Sequence, residues 1–276
     1  MAVNLASKFA PKVDERFRLE SLTDAGVNKE FEWVGVNAIN ILTLSSVALA
    51  DYTRTGTARF GAPVELQDTK QTMTITKDRG NSIVVDKGNN LQQLGLKTAG
   101  KILAMQTSEI VIPEVDVYRL AAMGTAAVAN SRKLATGASS ASNAYTTVLT
   151  LQGSLSNDLV PLKNRILFVT PAFLNFLKLD PNFTKASDLA YTSLVNGQVG
   201  EVDGAKIVVV PSVYFPANTD VILAHSSVTV AAEQLNDFQT HMDPPGISGM
   251  QIDYRIIYDA FVRTPKVNGL AVHMSI

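Results

Sequence analysis

The chain of 276 residues is 46% hydrophobic and 18% charged, which excludes an intrinsically disordered protein and supplies enough apolar surface for a large core. Its formal net charge of −1 argues against a dedicated nucleic-acid-binding protein, since such proteins usually carry a basic excess. The absence of cysteine excludes disulfides and thiolate metal sites, and no apolar stretch approaches the roughly 20 residues of a membrane helix. The first residues mix basic with acidic side chains and contain no apolar segment, so they do not form a secretory signal.

The first part of the chain predicts an arm followed by a long β-hairpin. Residues 1–30 have mixed charge and little periodicity, and we interpret them as an extended or partly helical arm. The segments 36–47 and 70–77 are rich in β-branched residues, and the second alternates apolar side chains with threonine, as a half-buried strand does. Between them, residues 51–63 carry glycines, a proline and two arginines, which predicts a polar, flexible tip. A two-stranded ribbon is only marginally stable in water, so we expect it to rest on another element, for example a neighbouring subunit.

A long helix is predicted next. Apolar residues at roughly helical spacing follow Asn89–Asn90, which can cap a helix over 90–111. Gly95 and Gly100 weaken this helix or mark close packing. Pro113 is expected to break or kink it before the helical pattern resumes.

A second module is predicted beyond residues 131–144, because this small, polar segment of low complexity is typical of a boundary. Its elements are predicted to be a helix over 146–159, a strand over 165–170, a helix beginning at Pro171, and strands over 206–210 and 220–225. Further strands follow towards the C-terminus. The pattern predicts an α+β protein whose first domain is interrupted and then completed by the C-terminal strands.

Gly197, Gly200 and Gly204 form a GxxGxxxG pattern beside a strand and raise the question of a nucleotide site. A dinucleotide-binding loop follows a strand and opens a helix, whereas these glycines precede the strand 206–210 and no helix start follows them. We therefore interpret all three as positive-φ turn positions that lead into this strand. A nucleotide-dependent enzyme that uses Gly197–Gly204 is kept as an alternative hypothesis.

No residue pattern predicts a cofactor, a metal site or a catalytic centre. The three histidines are far apart and form no HExxH pair, and no GxSxG turn is present. Asp253, Arg255 and Asp259 alternate with apolar residues on the last strands, where we expect a cross-strand ion pair.

The hairpin tip offers the residues that we predict to contact another subunit: Arg54, Arg59 and Phe60. Arginines on a loop are usually solubilising, but their planar guanidinium groups also suit bidentate pairing with carboxylates of a partner. A chain with projecting elements and no visible catalytic apparatus favours an assembly protein over an enzyme.

Six segments occur in an order that resembles the major capsid proteins of tailed bacteriophages with the HK97-type fold. They are DYTRTGTARFGAP, TMTITKDRGNSIVVD, EIVIPEVDVYRLAAM, NRILFVTPAFLNFL, GEVDGAKIVVVPSVYF and IDYRIIYDAFVRTPKVNGLAVHM. The resemblance covers most of residues 31–276 and implies an HK97-type α+β capsid fold. By this resemblance, the chain would divide into an N-terminal arm (1–30), an extended β-hairpin loop that lies across an adjacent subunit (31–86), a peripheral domain with a long spine helix (87–130), an axial domain (131–245) and return strands of the peripheral domain (246–276).

The resemblance also implies pentamers and hexamers that close into an icosahedral shell around packaged double-stranded DNA, without sequence-specific DNA binding, a cofactor or a membrane. Assembly would take place in the cytoplasm of a bacterial host, with portal and decoration proteins as further partners. Since the sequence begins directly with a short arm, we expect a separate scaffolding protein or none. Lys70 and Lys77 lie on the hairpin, but no local feature predicts a cross-link from either. The alternative with the same fold is an encapsulin-type compartment that holds a cargo protein.

Overall fold

The computed structural model describes residues 20–31, 33, 37–57, 59–92, 97–181, 183 and 200–275. Most of the predicted arm, together with Gly95 and Gly197, lies outside these residues. In chain order the helices and strands are β1 (Ala38–Leu44), β2 (Asp68–Thr74), β3 (Lys77–Asp86), α1 (Lys87–Gln92), α2 (Ala99–Gln106), α3 (Ile112–Ala129), β4 (Lys133–Thr136), α4 (Ala144–Asn157), β5 (Arg165–Val169), α5 (Pro171–Leu179), β6 (Glu201–Val202), β7 (Ala205–Val209), β8 (Thr219–His225), β9 (Thr229–Met242), β10 (Gly249–Val262) and β11 (Leu270–Met274).

The predicted hairpin is confirmed, since β1 and β2 pair antiparallel along their whole length. Alternate side chains of the pair point inward, where Ile39, Ile41 and Met73 pack against Trp33 and Phe261. Met73 is only 1% exposed, and the rings of Trp33 and Phe261 stack 5.6 Å apart. The base of the hairpin is therefore fixed to the body of the subunit by one apolar face.

Residues 99–129 form one continuous helix, the spine helix, in which α2 and α3 are joined by the π-helical turn Thr107–Val111. Pro113 is predicted to break or kink the helix. The helix is not interrupted there, but its regular hydrogen bonding gives way to the π turn directly before the proline. A proline ring clashes with the carbonyl four residues earlier, and the preceding π turn, in which the Ile112 N–H donates to the Thr107 carbonyl, gives it room. Gly100 does not mark close packing, because a Cβ there would meet no atom within 4 Å.

A three-stranded sheet in the order β3-β10-β9 packs against the spine helix. The strands β9 and β10 each contain 14 residues and are about 46 Å long at 3.3 Å per residue. Tyr254, Ile256 and Tyr258 alternate along β10 on the face that meets the helix, where Leu103 and Val115 pack against them. The alternation predicted for this C-terminal strand is confirmed.

A six-stranded sheet in the order β4-β11-β8-β5-β7-β6 forms the main core. Every residue of β5 is buried, because helices cover both faces of the sheet. On one face Leu167 packs with Leu155 of α4 and Phe173 of α5, and on the other Phe168 packs with Leu120 of the spine helix. The helix predicted to begin at Pro171 is confirmed as α5. The hydroxyl of Thr170 caps it by accepting the Phe173 N–H at 3.3 Å.

The strands are shared between the sheets in a way that crosses the predicted segment boundaries. The strand β9, which falls within 131–245, belongs to the three-stranded sheet, whereas β11, which falls within 246–276, lies between β4 and β8 in the six-stranded sheet. The C-terminal strands therefore complete both sheets. Among the described residues, none of the helices has the length and apolar character needed to span a membrane.

His273 on β11 makes the stability of this core depend on pH. Its side chain is 3% exposed, and burial lowers its pKa below the ordinary value of about 6.5, although Asp220, at 3.8 Å, partly opposes this shift. Below about pH 6.5 the unfolded chain therefore binds more protons at this histidine than the folded chain does. The contribution of His273 to the free energy of unfolding is thus fully present above this pH and is lost as the pH falls.

We expect the free energy of unfolding to fall by up to about 1.4 kcal/mol for each pH unit below 6.5 on account of His273. Urea titrations at pH 7.5 and 5.5 measure this loss. Because the variant His273→Gln carries no titrating ring there, it should lose less between the two pH values than the unmodified chain. Equal losses in the two proteins would contradict the role of His273. Burial also lowers the pKa of His225, but this residue is present in both proteins and contributes equally to both.

Candidate subunit interface

The hairpin continues beyond its strands as a long loop, residues 45–67, whose ends are held together. The Ser45 N–H donates to the Gln67 carbonyl at 2.9 Å, and the Ser45 hydroxyl donates to the same oxygen at 2.8 Å. Towards the tip, the Thr53 N–H donates to the Arg59 carbonyl at 3.0 Å. Gly56 adopts a φ of 92° in this turn, a conformation that side chains with a Cβ disfavour.

The outward face and the loop of the hairpin carry large apolar side chains that the subunit itself does not cover. Those at least half exposed are Leu42, Leu44, Val47, Leu49, Tyr52, Phe60, Val64 and Leu66. Leu49 is fully exposed and Phe60 is 85% exposed. Single exposed apolar residues are normal on a protein surface, but such a concentration on one projecting element is typical of a protein interface.

The three predicted contact residues all lie on this loop and are exposed. Phe60 packs edge-on against Tyr52, with ring centroids 5.0 Å apart, so the two rings form a small aromatic knob. The Nε of Arg59 donates to the Gly56 carbonyl at 3.0 Å, which orients its guanidinium group at the tip. Arg54 follows Thr53, whose N–H donates to the Arg59 carbonyl, and is exposed in the same turn. The structure thus places Arg54, Arg59 and Phe60 on one exposed loop, and their contact with another subunit stays a prediction.

The root of the hairpin is fixed by Asp259 of β10, which is 4% exposed. Its Oδ2 accepts the Thr76 N–H at 2.8 Å and the Thr76 hydroxyl at 2.9 Å, while Oδ1 accepts the Tyr118 hydroxyl and the Ala260 N–H, both at 2.8 Å. One carboxylate therefore joins the end of β2, the spine helix and β10. The pKa of Tyr118 is raised to about 12, first by burial and then by its hydrogen bond to Asp259 and the negative charge of that residue.

A second clamp holds the hairpin strand β2 to the body of the subunit. The amide nitrogen of Gln71 donates to the Val262 carbonyl at 3.0 Å, and its amide oxygen accepts the Thr264 N–H at 3.0 Å. Gln71 and Asp259 together fix the root of the hairpin to the body of the subunit.

The cross-strand ion pair expected on the last strands is confirmed for Arg255. Its Nε and Nη2 donate to the two oxygens of Asp78 on β3, at 2.9 and 2.6 Å. Asp253 faces His241 on β9 at 3.5 Å. Asp259 departs from the expectation, since it binds the hydrogen-bond donors at the hairpin root.

The described end of the glycine run forms a turn within the six-stranded sheet. Asp203 and Gly204 adopt φ values of 48° and 76° and connect β6 to β7 as a two-residue hairpin turn, which confirms the positive φ expected of Gly204. Gly200 does not adopt a positive φ, so that expectation is wrong. The element that follows this turn is a strand, which does not present the N–H groups that a helix start offers to a phosphate. This arrangement gives no support to the nucleotide-dependent enzyme.

The described part of the chain also contains no cluster of side chains that could form a metal site. Within it, no three residues among the histidines and carboxylates lie close enough together to hold an ion. His225 instead bonds with Ser227, with 2.9 Å between Nδ1 and Oγ.

Solved phage structures share this fold along almost the whole chain. The match to a structure of Mycobacterium phage Che8 has 18% sequence identity and a TM-score of 0.69, and it spans 98% of this chain and 96% of the phage chain. The match to a chain in the asymmetric unit of the mature capsid of bacteriophage PhiM1 has 15% sequence identity and a TM-score of 0.76, and it spans 98% of this chain and 91% of the phage chain. The match to the capsid structure of the cyanophage P-SCSP1u has 9% sequence identity and a TM-score of 0.78, and it spans 98% of this chain and 93% of the phage chain.

No protein-family model and no curated protein sequence matches the chain. The structural similarity nevertheless includes the hairpin, the spine helix and both large sheets. Nearly the whole of each compared chain is matched. A fold can persist after the sequence identity has fallen to this range. The chain has the HK97-type capsid fold of tailed-phage shell proteins.

Proposed function

We propose that this chain is the major capsid protein of a tailed bacteriophage, whose copies form pentamers and hexamers and close into an icosahedral shell around double-stranded DNA. The observation that carries the proposal is the projecting hairpin, which has a fixed root and an uncovered apolar tip. An apolar element of this kind gains stability only when another molecule covers it. The phage origin of the similar structures favours this shell over an encapsulin-type compartment.

Each subunit would place its hairpin on a neighbour and receive another neighbour's hairpin in return. Burial of one leucine or phenylalanine side chain contributes about 1.5–3 kcal/mol. Repeated around a closed symmetric assembly, several such contacts make the whole shell stable although each pairwise contact is weak. Arg54, Arg59 and Phe60 are the residues that we assign to this contact.

The parts of the subunit would take the roles of the shell fold with boundaries adjusted to the sheets. Residues 1–30 serve as the arm and 87–130 as the spine and its surroundings. The segment 31–86 serves as the extended loop, but it contributes β3 (Lys77–Asp86) to the peripheral sheet. The segment 131–245 supplies most of the axial domain but contributes β9 to the peripheral sheet, and 246–276 returns β10 to the peripheral sheet and β11 to the axial one.

The proposed role is structural and not enzymatic. A net charge of −1 suits an inner wall that encloses DNA without gripping its phosphates, since tight binding would need a basic surface. Assembly in the host cytoplasm, with a portal protein and any scaffolding or decoration proteins as partners, completes the proposal.

Electron microscopy of the purified protein, matched with light scattering over a range of salt and protein concentration, tests the proposal. We expect ring-shaped capsomers and closed shells of uniform size. The proposal fails if only small discrete species occur under every condition. Nuclease-protected DNA inside particles from infected cells, and no enclosed cargo protein, would distinguish the phage shell from the compartment.

A further inference from the structure

One turn of the spine helix, residues 114–119, holds both of the elements that are predicted to project from the subunit. Two of its side chains bind the segment 21–24, in the described part of the predicted arm, and two others bind the strands at the root of the hairpin. The first pair is Asp116 and Arg119, and the second pair is Glu114 and Tyr118. Residues three or four apart share one side of a helix, so the two pairs point in nearly opposite directions.

The arm side of this turn is centred on Asp116, which is 1% exposed. Its Oδ1 accepts the hydroxyls of Ser21 and Thr23, at 2.8 and 2.5 Å. Its Oδ2 accepts the Leu22 N–H at 2.8 Å. Arg119, which is also buried, donates to the Thr23 hydroxyl at 3.2 Å. Three consecutive residues are therefore fixed by one helical turn, and leaving these buried groups without their partners would be costly.

The hairpin side of the turn reaches the root through two carboxylates. The Tyr118 hydroxyl donates to Asp259 Oδ1 at 2.8 Å, and the same carboxylate accepts the Thr76 N–H at the end of β2. Glu114 Oε1 accepts the Nε of Arg79 on β3 at 2.8 Å. Displacement of this one turn would therefore remove partners from the hairpin root and from the segment 21–24 at the same time.

The helix is irregular directly before this turn. The π turn Thr107–Val111 replaces the regular hydrogen bonding, and Pro113 has no N–H to donate. Helices kink almost always at features of this kind. The turn 114–119 can therefore shift against the sheet while the rest of the spine helix stays folded.

We propose that the turn 114–119 is a conformational coupling device, which fixes the segment 21–24 and the hairpin root together or releases both together. Such a coupling is reciprocal, so that loosening either side loosens the other by the same factor. In the proposed shell, a neighbour that covers the hairpin tip would thereby also fix the arm, and the two contacts would form cooperatively. Only this last consequence rests on the proposed function, because the coupling itself is a property of one subunit.

Hydrogen exchange of the full chain, resolved at single amides, tests the coupling. The Leu22 N–H reports the arm side and the Thr76 N–H reports the hairpin side, because each donates to one of the two anchoring aspartates. Thr23→Val removes one hydroxyl from the arm side and should speed exchange at Thr76 about fivefold. Tyr118→Phe removes one hydroxyl from the hairpin side and should speed exchange at Leu22 by a similar factor.

Gln71→Ala is the matched control for Tyr118→Phe. The side chain of Gln71 clamps the hairpin through backbone groups of residues 262 and 264, so its two bonds do not involve the spine helix. This variant should loosen the hairpin root and leave exchange at Leu22 unchanged. Equal effects of Gln71→Ala and Tyr118→Phe at Leu22 would overturn the proposal, because the coupling would then not pass through the turn.

The Leu167 N–H, in the fully buried strand β5, reports global unfolding and should exchange more slowly than both reporters in every variant. The proposal is also overturned if either reporter keeps its exchange rate when the opposite side is substituted. It is likewise overturned if the reporters exchange no faster than Leu167 in the unmodified chain, because no local opening would then exist. These rates are properties of single subunits, so failure of the coupling is distinguishable from failure to form shells.

Discussion

Replacement of residues 46–66 by an Asn-Gly turn is expected to give a folded subunit that does not close into shells. The strands should still pair, because Ser45 and Gln67 already face each other at the end of the hairpin and an Asn-Gly dipeptide makes the favoured two-residue turn. The removed side chains are mostly exposed, so the thermal unfolding of the subunit should change little. What is lost is the apolar tip that a neighbour would cover. Electron microscopy and light scattering measure shell formation, and calorimetry measures the stability of the subunit.

Single substitutions separate the chemistry of the tip from its length. Phe60→Ala should leave the free energy of unfolding within about 0.5 kcal/mol and raise the subunit concentration at which shells appear by about tenfold or more. Thr55→Ala is the matched control, because it changes an exposed polar side chain in the same loop and should assemble normally. Normal closed shells from the Asn-Gly replacement would show that the tip has no part in assembly.

Replacement of Asp259 by alanine is expected to lower the free energy of unfolding by about 3–5 kcal/mol, because several buried donors would each lose a charged acceptor. The carboxylate is the acceptor for the Thr76 N–H, the Thr76 hydroxyl and the Tyr118 hydroxyl, and these donors would be left without it. The same change frees the root of the hairpin, so we expect assembly to fail even at temperatures where the subunit is folded. Urea titration and hydrogen exchange at Thr76 measure the two effects.

Two milder variants show which of these contacts matters. Tyr118→Phe removes one donor and should cost about 1 kcal/mol, since the carboxylate keeps its other partners. Asp259→Asn removes the negative charge, and the pKa of Tyr118 should then fall from about 12 towards its ordinary value of about 10, as followed by the absorbance of tyrosinate. An unchanged Tyr118 pKa in Asp259→Asn, or wild-type stability in Asp259→Ala, would contradict the central position of this carboxylate.

Local patterns in the sequence are sufficient to predict the elements whose environment is simple. The alternation around Met73 predicts β2 because one face of the hairpin is buried and the other is in water. Pro171 and the capping Thr170 likewise place the start of α5. The composition of residues 51–63 predicts a polar tip, whereas the folded loop also exposes the rings of Tyr52 and Phe60. The arrangement of Arg59 around Gly56 likewise needs the folded loop.

The remaining features depend on partners that are distant in the chain. The strand β9 has no simple alternation, because its first part crosses the apolar core and its last part is exposed, so periodicity does not predict it. The short β4 falls in the segment interpreted as a boundary and is a strand only because β11 pairs with it. Asp259 resembles any carboxylate on a strand until Thr76 and Tyr118 are placed beside it. The π turn before Pro113 is likewise an adjustment to tertiary packing that helical spacing alone does not predict.

The position of β11 between β4 and β8 has a consequence for when a subunit can first assemble during its synthesis. Val272 pairs with Lys133, so the central sheet stays open until the ribosome has made the chain as far as residue 274. At bacterial elongation rates this takes on the order of tens of seconds. The hairpin is made early in that period, but the carboxylate that fixes its root, at position 259, is made near the end of it. We therefore expect a nascent chain to complete its fold, and to fix the hairpin that the proposed assembly uses, only in a single late step.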